Sequence, residues 1–339
     1  MIKSIHSTPA SKGLREDCAR TAEDCARTAE DCARSAEGCL KALEAGRAYV
    51  GRFAPSPTGP LHAGSLQTAL ASWLDARAHK GKWLLRIEDV DAPRCSIDAA
   101  YGIIKCLAAH GLQPDGAVGW QSQRRERYDR AIDQLQSAGL LYRCNCSRSR
   151  IAAALRESGW VDAPHRERPY PGLCRQRMRS TGAGALRLCV NAEEIAWEDR
   201  RLGSQAETLA LSLGDFVLRR ADGIDSYHLA VVVDDEADGV TDVVRGDDLL
   251  ASTARQIALQ RHLGYRGLRY LHLPVLRDSH GEKLSKQQGA AALSPENAAS
   301  NLRAAAERLG LGRLPGASVP ELLAQAVARW SHIFVAAPC

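Results

Sequence analysis

His62 and Gly64 stand where a turn-rich stretch, Ala54-Pro55-Ser56-Pro57-Thr58-Gly59-Pro60, gives way to a periodic apolar segment that runs to about His79. The prolines forbid a helix within the stretch, and Leu66, Leu70, Trp73 and Leu74 then recur on one helical face. The pattern predicts a short buried strand over 48–53, a tight loop, and a helix whose first turn carries the histidine and the glycine. Free N–H groups and the macrodipole at such a helix start bind phosphate. His62 adds a donor for a phosphate oxygen, and Gly64 lets a nucleobase or ribose approach the backbone. About 220 residues further on, Lys283-Leu284-Ser285-Lys286-Gln287 follows a strand-like run, Leu271–Leu276, and a turn ending at Gly281. Two lysines flanking a hydroxyl on a glycine-hinged loop suit a lid that neutralises charge as pyrophosphate leaves.

Two further groupings carry chemistry. A second strand, Trp83–Ile87, ends in Glu88-Asp89-Val90-Asp91, which places carboxylates at the edge where open α/β sheets hold their ligands. Cys144-Asn145-Cys146 follows a predicted helix at 124–138, and Cys174 comes 28 residues after Cys146. Three thiols at this spacing make a tetrahedral metal site that needs one more ligand. On chemistry alone His165 is the first nominee, because a neutral imidazole binds readily, whereas the Tyr170 phenol has an ordinary pKa near 10 and needs the metal to deprotonate it. Cys95, Cys106 and Cys189 read as core fillers, with Cys106 on an apolar stripe beside Ile103, Leu107 and His110.

The elements that position these groups belong to an ordinary globular chain of 339 residues, 45% hydrophobic and 25% charged, long enough for about two domains. No run approaches the roughly 18 apolar residues of a membrane span. The N-terminus lacks the apolar core of a secretory signal. Eleven irregularly spaced cysteines do not form a disulfide framework, so a reducing cytoplasm is expected. Net charge is only +5, but residues 124–179 hold thirteen Arg against six acids, leaving −2 for the remainder. Such a local basic field attracts a polyanion.

Residues 1–46 contain EDCARTA twice, then EDCARSA and a degraded EGCLKAL, a seven-residue repeat bearing Cys18, Cys25, Cys32 and Cys39. On a helix successive thiols would lie roughly 10 Å apart. Thiolates sharing a zinc lie about 2.3 Å from it, so the array is no chelate. Alanine and cysteine also make a weak coiled-coil seam. The repeat reads as a tandem expansion, disordered or helical, and receives no function.

Taken together, GRFAPSPTGPLHAGS followed by RIEDVD resembles the signature of class I aminoacyl-tRNA synthetases, and within them the glutamyl branch. The family's HIGH motif is matched by His62-Ala63-Gly64-Ser65, with Ser65 for the second histidine. Its KMSKS motif is matched by Lys283–Gln287, with Leu284 for Met and Gln287 for the last Ser. The resemblance implies catalytic roles for His62 and Lys286. It implies ATP contacts, with Mg²⁺, from Pro55, His62, Gly64, Ser65, Lys283, Ser285 and Lys286. Arg52, Phe53, Ala54, Pro55, Ser56 and Glu88, with Tyr227 on a short helix and Arg245 at the end of a strand over 240–244, would receive L-glutamate. The charge logic agrees: an ammonium wants the Glu88 carboxylate, and a side-chain carboxylate wants the planar fork of an arginine. Glutamine in its place would leave a buried guanidinium unpaired, at a cost of about 3–5 kcal/mol, or about two to three and a half decades of discrimination.

Short glutamyl-synthetase-like proteins bind a structural zinc ion with a CxC…YxxxC pattern, matched here by Cys144, Cys146, Tyr170 and Cys174, so the resemblance points to Tyr170 where chemistry alone points to His165. After the KLSKQ loop come two helical segments, about 294–309 and 319–334, in place of a large anticodon-binding region. The resemblance therefore implies activation of glutamate by ATP without tRNA, then transfer to the queuosine base in the anticodon of tRNA(Asp). The alternatives are a truncated enzyme charging tRNA(Glu) and a catalytically silent tRNA-binding module. The expected architecture is α/β: a doubly wound, Rossmann-type parallel sheet in two halves, 47–117 and 190–264. An insertion at 118–189 carries the zinc site, and an α-rich part at 265–339 carries the KLSKQ loop.

Overall fold

The computed structural model describes residues 47–163, 167–177, 181–276 and 292–335. The heptad repeat, His165 and the Lys283, Ser285 and Lys286 loop lie outside the described residues. The chain divides into two units at Ala48/Tyr49, and the fold that follows is that of the second.

Its main sheet contains β1 (Val50–Phe53), β2 (Lys82–Ile87), β3 (Gly119–Trp120), β6 (Ile195–Asp199), β7 (Gly203–Glu207), β9 (Asp242–Gly246) and β10 (Arg269–Leu273). The order is β3-β2-β1-β9-β10-β6-β7. Pairing is parallel throughout except for the β6–β7 hairpin at one edge. A smaller antiparallel sheet joins β4 (Leu141–Cys144), β5 (Ala185–Leu188) and β8 (Phe216–Arg219) in the order β4-β5-β8. The parallel α/β sheet is as expected. The expected segment boundaries are not those of the sheets. β3, in the presumed insertion, pairs with β2, and β8, in the presumed second half, pairs with β5. β10, assigned to the α-rich end, runs between β9 and β6. Composition along the chain does not register which strands exchange hydrogen bonds.

The central strands are buried on both faces, as parallel strands are. Side chains alternate between two cores: Val244, Leu271 and Leu273 join one cluster, while Val243 and Tyr270 turn to the other side. The first cluster gathers α1 (Ala63–Ala78), α2 (Ile97–Ala109), α8 (Ala298–Arg308) and α9 (Val319–Trp330). A further cluster gathers α3 (Arg125–Ser137), α6 (Tyr227–Ala237) and α7 (Leu250–Leu263) with the small sheet. Between β4 and β5 lies α4 (Arg148–Glu157), and α5 (Leu209–Ser212) precedes β8. The Cys106 stripe behaves as expected, with Ile103, Leu107 and His110 all buried beside it.

α1 is buried on nearly every side, because α8 and α9 cover the face that the sheet does not. Its Leu66, Leu70 and Leu74 form the expected apolar face, and Ala69, Ala71 and Ala76 let neighbours pack closely on the others. A charged residue crosses this core. Asp75 is fully buried and accepts from the Tyr49 hydroxyl at 2.6 Å, the Trp330 indole at 2.9 Å and Arg200 at 2.6 and 2.9 Å. Burial opposes its charge, but these donors together hold its carboxyl below the usual range. Asp75 thus ties α1 to β1, to α9 and to the turn after β6. Asp75→Ala removes the acceptor shared by Tyr49, Trp330 and Arg200, leaving Arg200 with only the Phe334 carbonyl and a 4.0 Å contact to Asp242, and is expected to cost about 3–5 kcal/mol, read as a lower urea midpoint.

Candidate functional site

The sheet reverses its winding between β1 and β9: successive strands run outward from β1 to β2 and β3, and from β9 to β10. Ligand crevices open at such a switch point, beyond the carboxyl ends of the strands. A cavity of about 450 Å³ lies here. Arg52 and Phe53 from the end of β1, and Ala54, Pro55 and Ser56 from the following loop, line one part of it. His62, Gly64 and Ser65 line it from the start of α1, and Glu88, Tyr227 and Arg245 from β2, α6 and β9. Every expected site residue before the KLSKQ loop, apart from the cysteine cluster, therefore faces one cavity. The proline-rich loop after β1 is tied down by hydrogen bonds from Glu88 N–H to the Pro55 carbonyl and from Ser96 N–H to the Pro57 carbonyl, at 3.0 and 2.9 Å.

His62 is the N-cap of α1: its backbone is extended, and its Nδ1 accepts from the Ser65 N–H at 3.3 Å. The Ser65 hydroxyl lies 3.0 Å from the other ring nitrogen. Ser65, where the family signature has a second histidine, thus engages the ring of the first. A Cβ on Gly64 would meet that ring at 3.2 Å, and the Leu276 side chain at 3.9 Å. Glycine at this position therefore leaves room for the imidazole of its own cap while it lines the cavity.

Beneath the cavity lies a buried ionic network. The Nε of Arg52 meets both Asp235 oxygens at 3.2 and 3.3 Å. Arg86 reaches Asp235 at 2.8 Å and Glu88 at 3.4 Å. Arg124 binds Asp234 and Asp238 at 3.2 and 2.8 Å, and the Tyr128 hydroxyl donates to Asp234 at 2.8 Å. α6 starts with a Ser226 cap, presents Asp234 and Asp235 two turns on from Tyr227, and ends at the Asp238 cap. Asp235 is held below the usual range because Arg52 and Arg86 outweigh burial. Glu88 is not: burial pushes its carboxyl up to about 7 against the pull of Arg86 and Arg52.

Arg245 differs in kind. It is 4% exposed, and its three nitrogens donate to neutral groups. Nε reaches His272 Nε2 at 3.0 Å, Nη1 the Gln256 oxygen at 2.7 Å, and Nη2 the Thr253 hydroxyl at 2.9 Å. Among the described residues no carboxylate pairs with it; neighbouring Asp247 pairs with Arg201 instead. The cavity thus has a carboxyl at Glu88 and an uncompensated cation at Arg245, the complement of a zwitterion with an acidic side chain.

The cysteine cluster lies apart from the cavity lining. The sulfurs of Cys144, Cys146 and Cys174 lie within 4.8 Å of one another and could hold a metal ion. The Tyr170 hydroxyl is 3.3 Å from Cys144 Sγ and 3.8 Å from Cys146 Sγ, and Cys146 and Cys174 sulfurs are 3.5 Å apart. Tetrahedral bonds of about 2.3 Å to sulfur imply ligand separations of about 3.7 Å, so these donors suit one ion. Burial opposes ionisation of Cys144, yet contacts with the Tyr170 hydroxyl, the Cys146 N–H and Arg187 bring its thiol down to about 7. Arg187 also lies over the Tyr170 ring, 3.7 Å from its centroid.

Several lining residues escaped sequence reasoning. Arg94, largely exposed and in weak contact with Asp91 at 3.6 Å, borders the cavity, as do Thr68 and Asp248. Gly246 lines it as well, where a Cβ would strike Val275 at 2.7 Å. The adjacent acids of Val233-Asp234-Asp235-Glu236 on an otherwise apolar helix were the one available signal for the ionic network.

Comparison with known proteins agrees with this geometry. Residues 49–304 match the family described as tRNA synthetases class I (E and Q), catalytic domain. A protein of Albidiferax ferrireducens named glutamyl-Q tRNA(Asp) synthetase is 49% identical over 304 residues, covering 83% of this chain and 98% of that protein. The crystal structure of a glutamate-tRNA synthetase from Elizabethkingia anophelis superposes with a TM-score of 0.62 at 30% identity, covering 72% of this chain and 53% of that one. A glutamate tRNA ligase from Elizabethkingia meningosepticum, solved in complex with its amino acid, gives 0.67 at 26% identity over 82% of this chain and 64% of that one. The chain thus spans just over half to two thirds of these two solved proteins.

A cationic ligand in this cavity needs Glu88 ionised. With the empty-site carboxyl titrating near 7, affinity for an ammonium-bearing ligand is expected to fall about tenfold from pH 8 to pH 6. Calorimetric titration measures this, and Glu88→Gln is expected to remove the pH dependence along with most of the affinity.

Proposed function

The chain belongs to the class I tRNA synthetases of the E and Q family and is a ligase, and from that membership we propose that it activates L-glutamate with ATP and transfers it to the queuosine base of tRNA(Asp). The single observation that carries the choice of amino acid is Arg245: a buried cation on the cavity wall, held by neutral groups, with Glu88 in the same cavity. An α-ammonium at Glu88 and a side-chain carboxylate at Arg245 satisfy both. The tRNA rests on the name of the protein with which the chain shares 49% identity.

In the proposed first step the glutamate α-carboxylate attacks the α-phosphorus of ATP in line, a new C–O–P linkage forms, and pyrophosphate leaves. The carboxylate is already an anion, so no side-chain nucleophile is required and catalysis is positioning plus charge stabilisation. His62 and the N-terminal N–H groups of α1 take the phosphate side of the cavity; Pro55, Gly64 and Ser65 shape it. Lys283, Ser285 and Lys286 are assigned to the departing pyrophosphate, and Mg²⁺ accompanies ATP as part of the substrate. Arg52, Phe53, Ala54, Ser56 and Tyr227 enclose the amino acid. In the second step a hydroxyl of the queuosine ring attacks the mixed anhydride, AMP departs, and a glutamyl ester remains.

The thiols of Cys144, Cys146 and Cys174 with the Tyr170 hydroxyl are proposed to hold a structural zinc ion, which supplies cross-linking and no chemistry of the reaction. Metal analysis is expected to find about one zinc per chain. Cys174→Ser is expected to lower the metal content and the melting temperature while the rate of pyrophosphate exchange changes little. For the reaction itself, tRNA(Asp) incubated with protein, glutamate and ATP is expected to gain an alkali-labile glutamyl adduct on its modified wobble nucleoside, read by mass spectrometry. Esterification of the 3′ end of tRNA(Glu) instead, or exchange that appears only when that tRNA is added, would favour an ordinary synthetase activity. Absence of exchange under all conditions would leave a silent RNA-binding module.

A further inference from the structure

Three adjacent strands set Arg245 (β9), His272 (β10) and Asp199 (β6) side by side, all buried. Asp199 Oδ2 lies 2.6 Å from His272 Nδ1, and its other oxygen accepts from the N–H groups of Arg201 and Leu202 at 3.0 and 2.9 Å. On the far side of the ring, Nε2 faces the Arg245 Nε at 3.0 Å. A guanidinium nitrogen only donates, so Nε2 must be the acceptor and the ring's proton must sit on Nδ1, toward Asp199. The Thr253 hydroxyl accepts from Arg245 Nη2 and lies 3.3 Å from Nε2.

We propose that His272, locked in its Nδ1–H tautomer by Asp199, is the positioning residue for amino-acid selection, because it fixes the Arg245 fork without neutralising it. A carboxylate at that place would orient the arginine equally well but quench the charge the ligand must meet. A charged imidazole would face the arginine with a second donor and repel it. Burial lowers the basicity of His272 even against the pull of Asp199, in keeping with a neutral ring. Asp199 keeps its charge one ring away from Arg245, where it sets the tautomer and leaves the guanidinium open to the cavity. The proposal rests on the reading of Arg245 as the receiver of the side-chain carboxylate.

The test is glutamate-dependent ATP–pyrophosphate exchange together with equilibrium binding of L-glutamate, with L-glutamine as competitor. His272→Asn keeps a polar group near Nδ1 but presents no acceptor to Arg245. It is expected to raise the KM and Kd for glutamate about 10- to 100-fold, the loss of one hydrogen bond to a charged group. The KM for ATP stays unchanged, and the preference over glutamine narrows by a similar factor. His272→Gln, whose amide oxygen reaches the Nε2 position, is expected to restore most of the loss. Asp199→Asn offers its N–H to Nδ1, drives the proton to Nε2 against the arginine, and is expected to reproduce His272→Asn. Circular dichroism checks that each variant folds. If Arg245→Gln leaves glutamate binding intact, the reading of Arg245 is wrong. If Arg245→Gln impairs binding while folded His272→Asn or Asp199→Asn binds and discriminates as the parent does, the positioning proposal is overturned. It is also overturned if His272→Gln is as impaired as His272→Asn, or if the KM for ATP rises in parallel.

Discussion

Arg245 is a cation in the middle of a parallel sheet, on a strand whose every residue is buried. Burying a charge without a counter-charge is costly, and proteins normally avoid it by pairing. The chain does pair its other buried arginines beside the cavity, Arg52 and Arg86, with carboxylates. Arg245 alone among these three has only hydroxyl, amide and imidazole partners, which supply geometry without offsetting its charge. In the proposed reading a ligand carboxylate completes the pair and offsets that cost. Much of the surrounding arrangement follows from keeping that cation oriented and open: β10 beside β9 to deliver His272, β6 beside β10 to deliver Asp199, and α7 to deliver Thr253 and Gln256.

The opposite pole depends on the same logic with its sign reversed. Glu88 ends the strand next to β1 and lies among Arg86, Arg52 and Asp235, so attraction and repulsion partly cancel and burial decides its protonation. The aspartates of α6 absorb the charge of Arg52 and Arg86 and leave Glu88 near the midpoint of its titration at neutral pH. In the proposed reading a ligand ammonium favours the ionised form, which links binding to proton release.

Between the poles, the start of α1 borders the cavity. Its position is fixed less by its own sequence than by what covers it. Asp75 joins Tyr49, Arg200 and Trp330 across the core, and α8 and α9 close over the helix face that the sheet leaves bare. The two C-terminal helices therefore serve the cavity at a distance, as the packing that holds the His62 cap at the crevice. The His62 ring, folded onto Ser65 above Gly64, shows how one substitution in the family signature is absorbed by a local hydrogen bond.

The chain by itself determined the helix start at His62, the strand that ends in Glu88, the arginine at the end of β9 and the thiols that share a metal-sized space. Each of these is a local event, set by prolines, periodicity or short spacing, and periodicity survives without knowledge of neighbours. The pairing of β10 between β9 and β6, the reach of the small sheet to β8, and the Asp199–His272–Arg245 line were decided only by tertiary structure. Strand order is a matter of which hydrogen bonds close over long separations, and no residue type announces it. A histidine in the run Leu271-His272-Leu273 reads as an ordinary buried strand residue until the sheet sets an aspartate on one side of it and a guanidinium on the other.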